Sequence, residues 1–335
     1  MKPAINWRDA KKTTIRCYNC LHGCLINPGQ RGLCQVRQNM DGRLFSLNYG
    51  KIISQNIDPI EKKPLFHFLP GSLAYSIACV GCNFRCLHCQ NYSISQVSPL
   101  EEIPGEEVAP WQIVNSAKSM NCQSIAYTYT EPTIYIEYAL EVMKEAKKQG
   151  LANVWVSNGY FSKETFHLIE PYLDAINIDL KFFTEDKYQQ VCGARLKHVK
   201  DSLIRVAKSN IHLEVTTLII PQLNDSDEEI SAMAKFIRFD LGNETPWHLS
   251  AFYPAHKMVG ALPTNESSIE NAINIAKDND LRFVYSGNLK TSKFENTNCA
   301  ECGELLISRK GYIIEKMYKN KKVCPKCGVR LPFVL

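Results

Sequence analysis

From residue 73 onward the sequence alternates short apolar runs with longer amphipathic segments, and this alternation limits the fold more than any other feature. The apolar runs predict strands at residues 73–79, 124–128, 153–157, 175–180, 212–220, 248–252 and 282–285. The segments between them predict helices at residues 111–120, 132–149, 163–173, 226–239 and 267–278, and further helical turns within 185–208. This pattern is typical of a parallel sheet covered by helices. About six such units are too few for a closed eight-unit barrel, so we predict an α/β fold with a partial (β/α)6 barrel.

The size of the chain leaves room for small additions at both ends of this barrel. With 335 residues, 45% of them apolar, the chain is long enough for one sizeable α/β domain. Cysteine groups locate the additions. We therefore predict an N-terminal cysteine-rich metal-binding segment at residues 1–68, the barrel at 69–290 and a zinc-ribbon-like domain at 291–335.

The fourteen cysteines also indicate a compartment. They occur in C-x2-C and C-x3-C pairs, and no signal-like apolar segment opens the chain, which favours metal sites in a reducing cytoplasm over disulfides. No apolar run approaches the length that spans a bilayer, so a cytoplasmic protein without membrane contact is predicted. The net charge of +5 comes from scattered lysines and the segment 316–326, a pattern that does not favour nucleic acid as a partner.

A loop directly after the first predicted strand carries three cysteines, Cys82, Cys86 and Cys89, at C-x3-C-x2-C spacing. An electron-transfer iron-sulfur cluster is normally closed by four cysteine thiolates, so a compact set of three predicts an iron that stays open for another ligand. A zinc ion or a set of buried thiols is the alternative. A structural zinc ion usually takes four protein ligands, and the nearby Cys79 lies inside the strand, so a 4Fe-4S cluster is the favoured interpretation.

Polar side chains lie at or just after the ends of several predicted strands, with Thr216 inside the fifth strand and His248 at the start of the sixth. They are Glu131, Ser157, Asn158, Asp179, Lys181, Thr216 and His248. Taken singly, a turn or a strand preference explains each of them. Because the carboxyl ends of parallel strands meet at one edge of a barrel, together they predict a ring of hydrogen-bonding groups above the sheet.

The cysteine loop and these strand ends resemble the radical S-adenosylmethionine (SAM) superfamily, in which the amino and carboxylate groups of SAM chelate the open iron. The resemblance implies a 4Fe-4S cluster at the three loop cysteines and reductive cleavage of SAM to methionine and a 5'-deoxyadenosyl radical. It implies SAM contacts from His88, Glu131, Ser157, Asn158, Asp179, Lys181, Thr216 and His248. In this arrangement Lys181 would face the SAM carboxylate and Glu131 its ammonium group.

A narrower resemblance is to the radical SAM proteins of the AmmeMemoRadiSam system, which are relatives of the pyruvate formate-lyase activating enzymes. It rests on the segments 64–68, 82–92, 129–133, 179–182, 248–254 and 285–288. Tyr129 and Thr130 depart from the superfamily, which has two glycines before the glutamate. The resemblance implies an electron donor such as flavodoxin or ferredoxin, and partners of the AMMECR or Memo type.

The function that follows from the resemblance is hydrogen abstraction from a substrate by the deoxyadenosyl radical. A glycine Cα of a protein partner as the substrate would make the chain an activase, whereas a small molecule or a modified residue would make it a different radical SAM enzyme. A non-catalytic iron- or zinc-binding scaffold for partners is the rival class. A ring of groups matched to a zwitterion argues against the scaffold.

A cysteine group near the start of the chain forms a complete metal-ligand set around a Pro/Gly-rich turn. Its members are Cys17, Cys20, Cys24 and Cys34. Zinc and an auxiliary iron-sulfur cluster both satisfy this set, and the spacing does not choose between them. A zinc or other structural metal is slightly favoured.

A second group near the end of the chain consists of two C-x2-C pairs separated by about twenty residues, which predicts a zinc ribbon. Its members are Cys299, Cys302, Cys324 and Cys327. Short strands are expected at residues 305–308 and 312–315. A folded cap over the barrel is favoured over a contact surface made by the lysines of 316–322. Cys122 and Cys192 fit no set and are expected to be packed thiols.

Overall fold

A nine-stranded sheet forms the centre of the protein in the computed structural model, which describes residues 1–98, 102–290, 293–318 and 322–335. Its parallel strands are β1 (Leu73–Cys79), β2 (Ser124–Tyr127), β3 (Ala152–Ser157), β4 (Ala175–Asp179), β5 (His212–Ile219), β6 (Trp247–Ala251) and β7 (Val284–Gly287). Each pairs with its neighbour in chain order. Beyond β1, the strand Lys51–Pro59 runs antiparallel and pairs in turn with Glu106–Glu107. The predicted α/β partial barrel is confirmed.

Helices follow the strands as the alternation predicts. They are α1 (Pro110–Ser119), α2 (Ile136–Lys148), α3 (Lys163–Ile169), α4 (Leu196–Ala207), α5 (Asp227–Phe236) and α6 (Glu266–Asp278). Short helical turns lie at Ile60–Lys62, Tyr92–Ser95, Pro132–Tyr135, Glu185–Lys187, Tyr188–Cys192, Ile237–Leu241 and His256–Met258. Helical turns within 185–208 break at Gly193, whose φ of +70° is a left-handed conformation that suits glycine.

Burial of the strands follows from their position between helices and the barrel interior. All of β2 is buried, and β1 and β5 are buried along most of their length. Trp155 and Trp247 are fully buried. Parallel strands covered on both faces are expected to be nearly continuous in apolar residues. For this reason the apolar runs of the sequence predicted the positions of these strands.

The N-terminal segment forms two small antiparallel sheets beside the barrel. One contains Lys2–Pro3, Arg37–Met40 and Arg43–Ser46, and the other contains Trp7–Lys11, Thr14–Cys17 and Leu25–Ile26. Arg37 connects this segment to α2, because its guanidinium lies 2.6 Å from the carboxylate of Glu137. Both side chains of this ion pair are buried.

The C-terminal segment is a three-stranded antiparallel sheet of Thr297–Asn298, Leu305–Lys310 and Ile313–Met317. Its Arg309 is buried against the barrel and donates to the carbonyl oxygen of Phe66 over 2.9 Å. Phe68 and Val334 also form an isolated parallel bridge. Residues 291 and 292, where the predicted C-terminal domain begins, and Lys319 and Lys321 of the lysine segment lie outside the described residues.

None of the helices in the described ranges is both long enough and apolar enough to cross a membrane.

Candidate active site

A cavity of about 530 Å3 opens at the carboxyl ends of the parallel strands. It brings together every residue of the predicted central site: Cys82, Cys86, Cys89, His88, Glu131, Ser157, Asn158, Asp179, Lys181, Thr216 and His248. The parallel topology explains this convergence, because it places the end of each strand at the same edge of the barrel. The assignment of individual residues to a cluster or to SAM stays a prediction.

The cysteine loop is held in its middle by backbone hydrogen bonds and begins at a glycine turn. The amides of Arg85 and Leu87 each donate over 2.9 Å to the turn Tyr188–Cys192. At its start, Gly81 has a φ of +107°, and a Cβ at this position would lie 2.8 Å from the side chain of Val36. Only glycine fits this turn without a shift, so the loop leaves β1 along a fixed path toward the cavity.

Cys192, expected from the sequence to be a packed thiol, lies beside the cysteine loop. The ligand atoms of Cys86, His88 and Cys192 all lie within 4.8 Å of one another. A hydrogen bond with Cys192 and burial raise the pKa of the Cys86 thiol well above its usual value. Nothing in the spacing of Cys192 signalled this position, because the contact joins separate loops.

Glu131 ties the loop after β2 to the loop after β3. Its buried carboxylate accepts from the backbone and hydroxyl of Thr133 at 3.1 and 2.5 Å, from the Ser157 hydroxyl at 2.9 Å and from the Asn158 amide at 2.8 Å. Burial raises the pKa of Glu131, and these hydrogen bonds oppose that rise. The carboxylate therefore has a structural role of its own, and the ammonium group that it is predicted to bind would join four existing donors.

Tyr129 and Thr130 replace the glycines of the superfamily motif and are held by specific contacts. Tyr129 has a left-handed φ of +63°. Its hydroxyl donates to Asp58, and its carbonyl accepts from the Asn91 side chain at 2.9 Å. The Thr130 hydroxyl donates over 2.7 Å to the carbonyl oxygen of Cys79. These bonds stabilise a backbone path that glycine would adopt without strain.

Asp179 and Lys181 form an ion pair at the end of β4. The ammonium of Lys181 lies 2.8 Å from the carboxylate of Asp179, and Lys181 is the more buried of the two. Burial opposes the positive charge, but Asp179 and the nearby Cys86 thiol outweigh it and raise the pKa of Lys181 well above its usual value. The cavity thus contains a fixed cation that could attract a carboxylate ligand.

His248 is oriented by Glu214, a residue that the sequence reasoning did not assign to the site. Glu214 accepts from His248 at 2.6 Å, from His212 at 2.9 Å and from the backbone amides of Phe66 and His67 at 3.0 and 2.7 Å. Burial opposes its charge, but these hydrogen bonds hold its pKa well below its usual range. The sequence did contain a signal for Glu214, because it is a carboxylate within a largely buried strand, and a buried carboxylate needs hydrogen-bond partners.

Several buried polar atoms of the cavity have no hydrogen-bond partner among the described residues. They are both ring nitrogens of His88, the hydroxyls of Thr216 and Ser286, and one carboxylate oxygen of Glu61. Burial lowers the pKa of His88 to about 3, so its ring is neutral near pH 7. Native proteins rarely leave buried polar groups unpaired, so the cavity fits a ligand with polar groups of its own.

The four cysteines of the C-terminal segment form a compact set. The sulfur atoms of Cys299 and Cys327, and those of Cys302 and Cys324, lie 3.6 Å apart. All four sulfur atoms lie within 4.8 Å of one another. Ligands of a tetrahedral zinc ion, with Zn–S bonds of ~2.3 Å, should have sulfur atoms about 3.8 Å apart, so this set fits one tetrahedral ion.

The predicted N-terminal ligands also share one place in the structure. Cys17, Cys20, Cys24 and Cys34 line a second cavity next to the cysteine loop. Asn83 of that loop lines the same cavity. The two terminal cysteine groups are therefore separate sites. One precedes the barrel in the sequence and the other follows it, and each is assembled from its own segment.

Residues 76–237 match the Radical SAM superfamily. Over its whole length the chain is 42% identical to the uncharacterized protein MJ0808 of Methanocaldococcus jannaschii, which is also covered completely. It is 22% identical over 206 residues to pyruvate formate-lyase 1-activating enzyme of Escherichia coli K12, covering 57% of this chain and 82% of that enzyme. Streptococcus suis SuiB, bound to its precursor peptide SuiA, shares the fold with a TM-score of 0.52 at 12% identity, covering 68% of this chain and 51% of SuiB.

Proposed function

The chain belongs to the radical SAM superfamily, and we propose that it cleaves SAM reductively and uses the resulting 5'-deoxyadenosyl radical to abstract hydrogen from a substrate. The observation that carries this proposal is the convergence of the three loop cysteines and the polar strand ends on one cavity with unpaired polar atoms. A 4Fe-4S cluster held by Cys82, Cys86 and Cys89 would supply the electron and the open iron site.

The other residues of the cavity would bind and orient SAM. Lys181 would donate a charge-assisted hydrogen bond to the SAM carboxylate, and the ion pair with Asp179 fixes the position of the Lys181 ammonium group. His248, held by Glu214, presents a ring of fixed orientation toward the nucleoside. The unpaired hydroxyl of Thr216 would gain a partner in the same ligand. These groups match the charged and polar parts of one zwitterionic cofactor.

Anaerobic reconstitution with iron and sulfide, followed by dithionite and SAM, tests this function. We expect 5'-deoxyadenosine by liquid chromatography and a change in the electron paramagnetic resonance (EPR) spectrum when SAM is added. Cys86→Ala should abolish cleavage, because a thiolate ligand is lost. The matched control is Cys122→Ala, which removes a buried thiol outside the cavity and should retain cleavage. A reconstituted wild type that forms no 5'-deoxyadenosine and shows no spectral response to SAM would favour the non-catalytic scaffold.

The activating-enzyme relatives support a protein glycine as the hydrogen donor. Flavodoxin or ferredoxin as the electron donor, and AMMECR- or Memo-type proteins as candidate partners, rest on the sequence resemblance alone. A second candidate, a small molecule or modified side chain, is favoured by one observation. Glu295, Gly311 and Tyr312 of the C-terminal segment line the cavity together with the barrel residues, so this segment covers part of the opening.

Isotope transfer distinguishes these substrates. A candidate protein deuterated at glycine should give deuterated 5'-deoxyadenosine if its glycine Cα loses the hydrogen. Transfer only from a deuterated small-molecule extract would instead support the second candidate.

We also propose that the C-terminal cysteines hold zinc, because their compact sulfur set fits a tetrahedral ion.

A further inference from the structure

The N-terminal cysteine group lies against the cysteine loop of the barrel, and its sulfur atoms are spread more widely than those of the C-terminal group. We propose that Cys17, Cys20, Cys24 and Cys34 hold an iron-sulfur cluster rather than a zinc ion, and that this cluster exchanges electrons with the central site. The electron exchange rests on the proposed SAM chemistry, whereas the metal assignment stands on the geometry of the N-terminal segment alone.

The spacing of the sulfur atoms separates the two kinds of metal site. Ligands of one tetrahedral zinc ion should have sulfur atoms about 3.8 Å apart. In a cluster the thiolates bind different iron atoms, so their sulfur atoms lie further apart. All four sulfur atoms of the C-terminal group lie within 4.8 Å of one another. Within the described ranges, which include the whole N-terminal group, no three of its sulfur atoms meet that limit.

The central cysteine loop provides an internal reference for this spacing. Its three cysteines belong to a superfamily that implies a 4Fe-4S cluster, and they also do not form a set within 4.8 Å in the described part of the chain. The N-terminal group therefore shares the wide spacing of the central loop and differs from the C-terminal group. Because all three groups occur in the same structure, the contrast is a property of each segment.

Burial raises the pKa of the Cys17, Cys20 and Cys34 thiols, and polar contacts from the same segment oppose that rise. Backbone amides two residues further along the chain donate to three of the sulfur atoms: Asn19 to Cys17, His22 to Cys20 and Val36 to Cys34. The guanidinium of Arg37 lies close enough to Cys17 and Cys34 to favour their anionic forms. Such second contacts around a metal ligand stabilise its charge and orient it.

One residue, Asn83, joins the N-terminal cavity to the central one. It follows Cys82 in the chain and lines the N-terminal cavity. Its carbonyl oxygen accepts from the ring of His22 over 2.8 Å, and its side-chain oxygen accepts from Asn158 over 2.7 Å. Asn158 lines the central cavity. Asn83 and its hydrogen bonds to His22 and Asn158 therefore connect the two cavities, and the proposed electron exchange would take place across this contact.

The electron transfer adds no bond chemistry of its own. A low-potential one-electron donor, such as reduced flavodoxin or ferredoxin, would lose one electron, and a cluster held by Cys17, Cys20, Cys24 and Cys34 would pass that electron to the central site. One electron is consumed when the bond between the SAM sulfur and C5' breaks, leaving methionine and the 5'-deoxyadenosyl radical. Donor oxidation and SAM cleavage therefore balance one for one.

Metal analysis of the full chain tests the cluster. A variant with Cys82→Ala, Cys86→Ala and Cys89→Ala, reconstituted anaerobically with iron, sulfide and zinc, should keep iron, acid-labile sulfide and about one zinc ion per chain. Adding Cys20→Ala should remove the remaining iron and leave the zinc. A loop variant that contains no iron and about two zinc ions would overturn the cluster.

EPR of the wild type supplies a second test that needs no variant to fold. After reduction with dithionite, two neighbouring cluster spins should broaden each other's signals, and the broadening should be absent from the loop variant. The signal of one isolated cluster overturns the assignment, and two unbroadened signals overturn the contact. A protein that shows both coupled clusters but does not cleave SAM would contradict the proposed function and leave the cluster intact.

Discussion

The N-terminal and C-terminal segments are built alike, but they hold their cysteines in different geometries. Each is a small β-structure with four cysteines, and each sends one buried arginine to a glutamate: Arg37 to Glu137 on α2, and Arg309 to Glu61 just before β1. The sulfur atoms of the C-terminal segment gather around one point, whereas those of the N-terminal segment do not. Two segments with the same number of cysteines therefore do not present the same arrangement of metal ligands.

The positions of the two segments differ as well. The N-terminal cysteines lie against the cysteine loop, with Asn83 between them and the central cavity. In the C-terminal segment it is Tyr312 and Gly311, and not the cysteines, that reach the central cavity. The first segment therefore borders the cysteine loop, and the second borders the central cavity itself.

Zinc removal should have the largest effect and should act on one segment only. A chelator that removes zinc from the C-terminal group is expected to abolish amide protection in residues 293–318 and 322–335, because small ribbons draw their folding free energy from metal binding, roughly 10–16 kcal/mol. The N-terminal iron content and the protection of β3 and β4 should not change. Hydrogen–deuterium exchange with mass spectrometry measures both.

The matched variant for zinc removal is Cys324→Ser, which should show the same local loss without a chelator. Retained protection of the C-terminal strands in both experiments would mean that packing against the barrel, and not metal, holds this segment. Loss of N-terminal iron along with zinc would contradict the independence of the two sites.

Replacing either buried arginine should destabilise the protein less than removing zinc does, but more than a surface substitution does. Arg37→Met and Arg309→Met are each expected to lower the free energy of unfolding by about 3–5 kcal/mol, since each leaves a glutamate buried without its partner. The ion pair of Arg37 is 2.6 Å long and that of Arg309 is 3.7 Å long. Chemical denaturation of both variants measures the losses.

Double-mutant cycles with Glu137→Leu and Glu61→Leu provide the control. The shorter pair should show the larger coupling free energy, because burial outweighs the ion pair at Arg309 and lowers its pKa, whereas Glu137 outweighs burial at Arg37 and raises its pKa. Equal coupling in the two cycles would remove this difference between the segments.

The sequence predicted those parts of the molecule in which a local pattern decides the outcome. The strand order and the residues of the central cavity followed from apolar runs and from polar residues at their ends. Arg309 and Glu214 were not assigned, because their partners lie far away in the chain: Arg309 bonds to Phe66, and Glu214 bonds to Phe66 and His67. No spacing rule connects residues that meet only after the sheet closes around them.

The metal of the N-terminal group was undecided from the sequence for a related reason. Its spacing satisfies zinc and iron-sulfur ligation equally. The difference lies in how far apart the folded backbone holds the sulfur atoms, which the spacing of the cysteines along the chain does not determine. Cys192 is a similar case, since its approach to Cys86 depends on the turn Tyr188–Cys192.

Acid should affect the C-terminal interface through His67, with a smaller effect than either arginine. The ring of His67 is fully buried and bonds to the hydroxyl of Tyr285 over 2.6 Å. Burial lowers its pKa from 6.5 to about 3. Between these values the unfolded chain binds a proton that the folded chain does not, so stability falls as the pH falls through 6.5. The expected loss from pH 7 to pH 5 is about 2 kcal/mol.

Denaturation curves of the wild type and His67→Gln at both pH values measure this contribution. The variant cannot bind that proton, so its loss between pH 7 and pH 5 should be smaller than that of the wild type by about 2 kcal/mol. His167→Gln, at an exposed position of α3, is the matched control and should keep the wild-type slope. Because the ring of His67 packs against that of Phe333 in the C-terminal segment, exchange at pH 5 should rise first in that segment. An equal rise around Cys17 would show that acid loosens both ends of the chain alike.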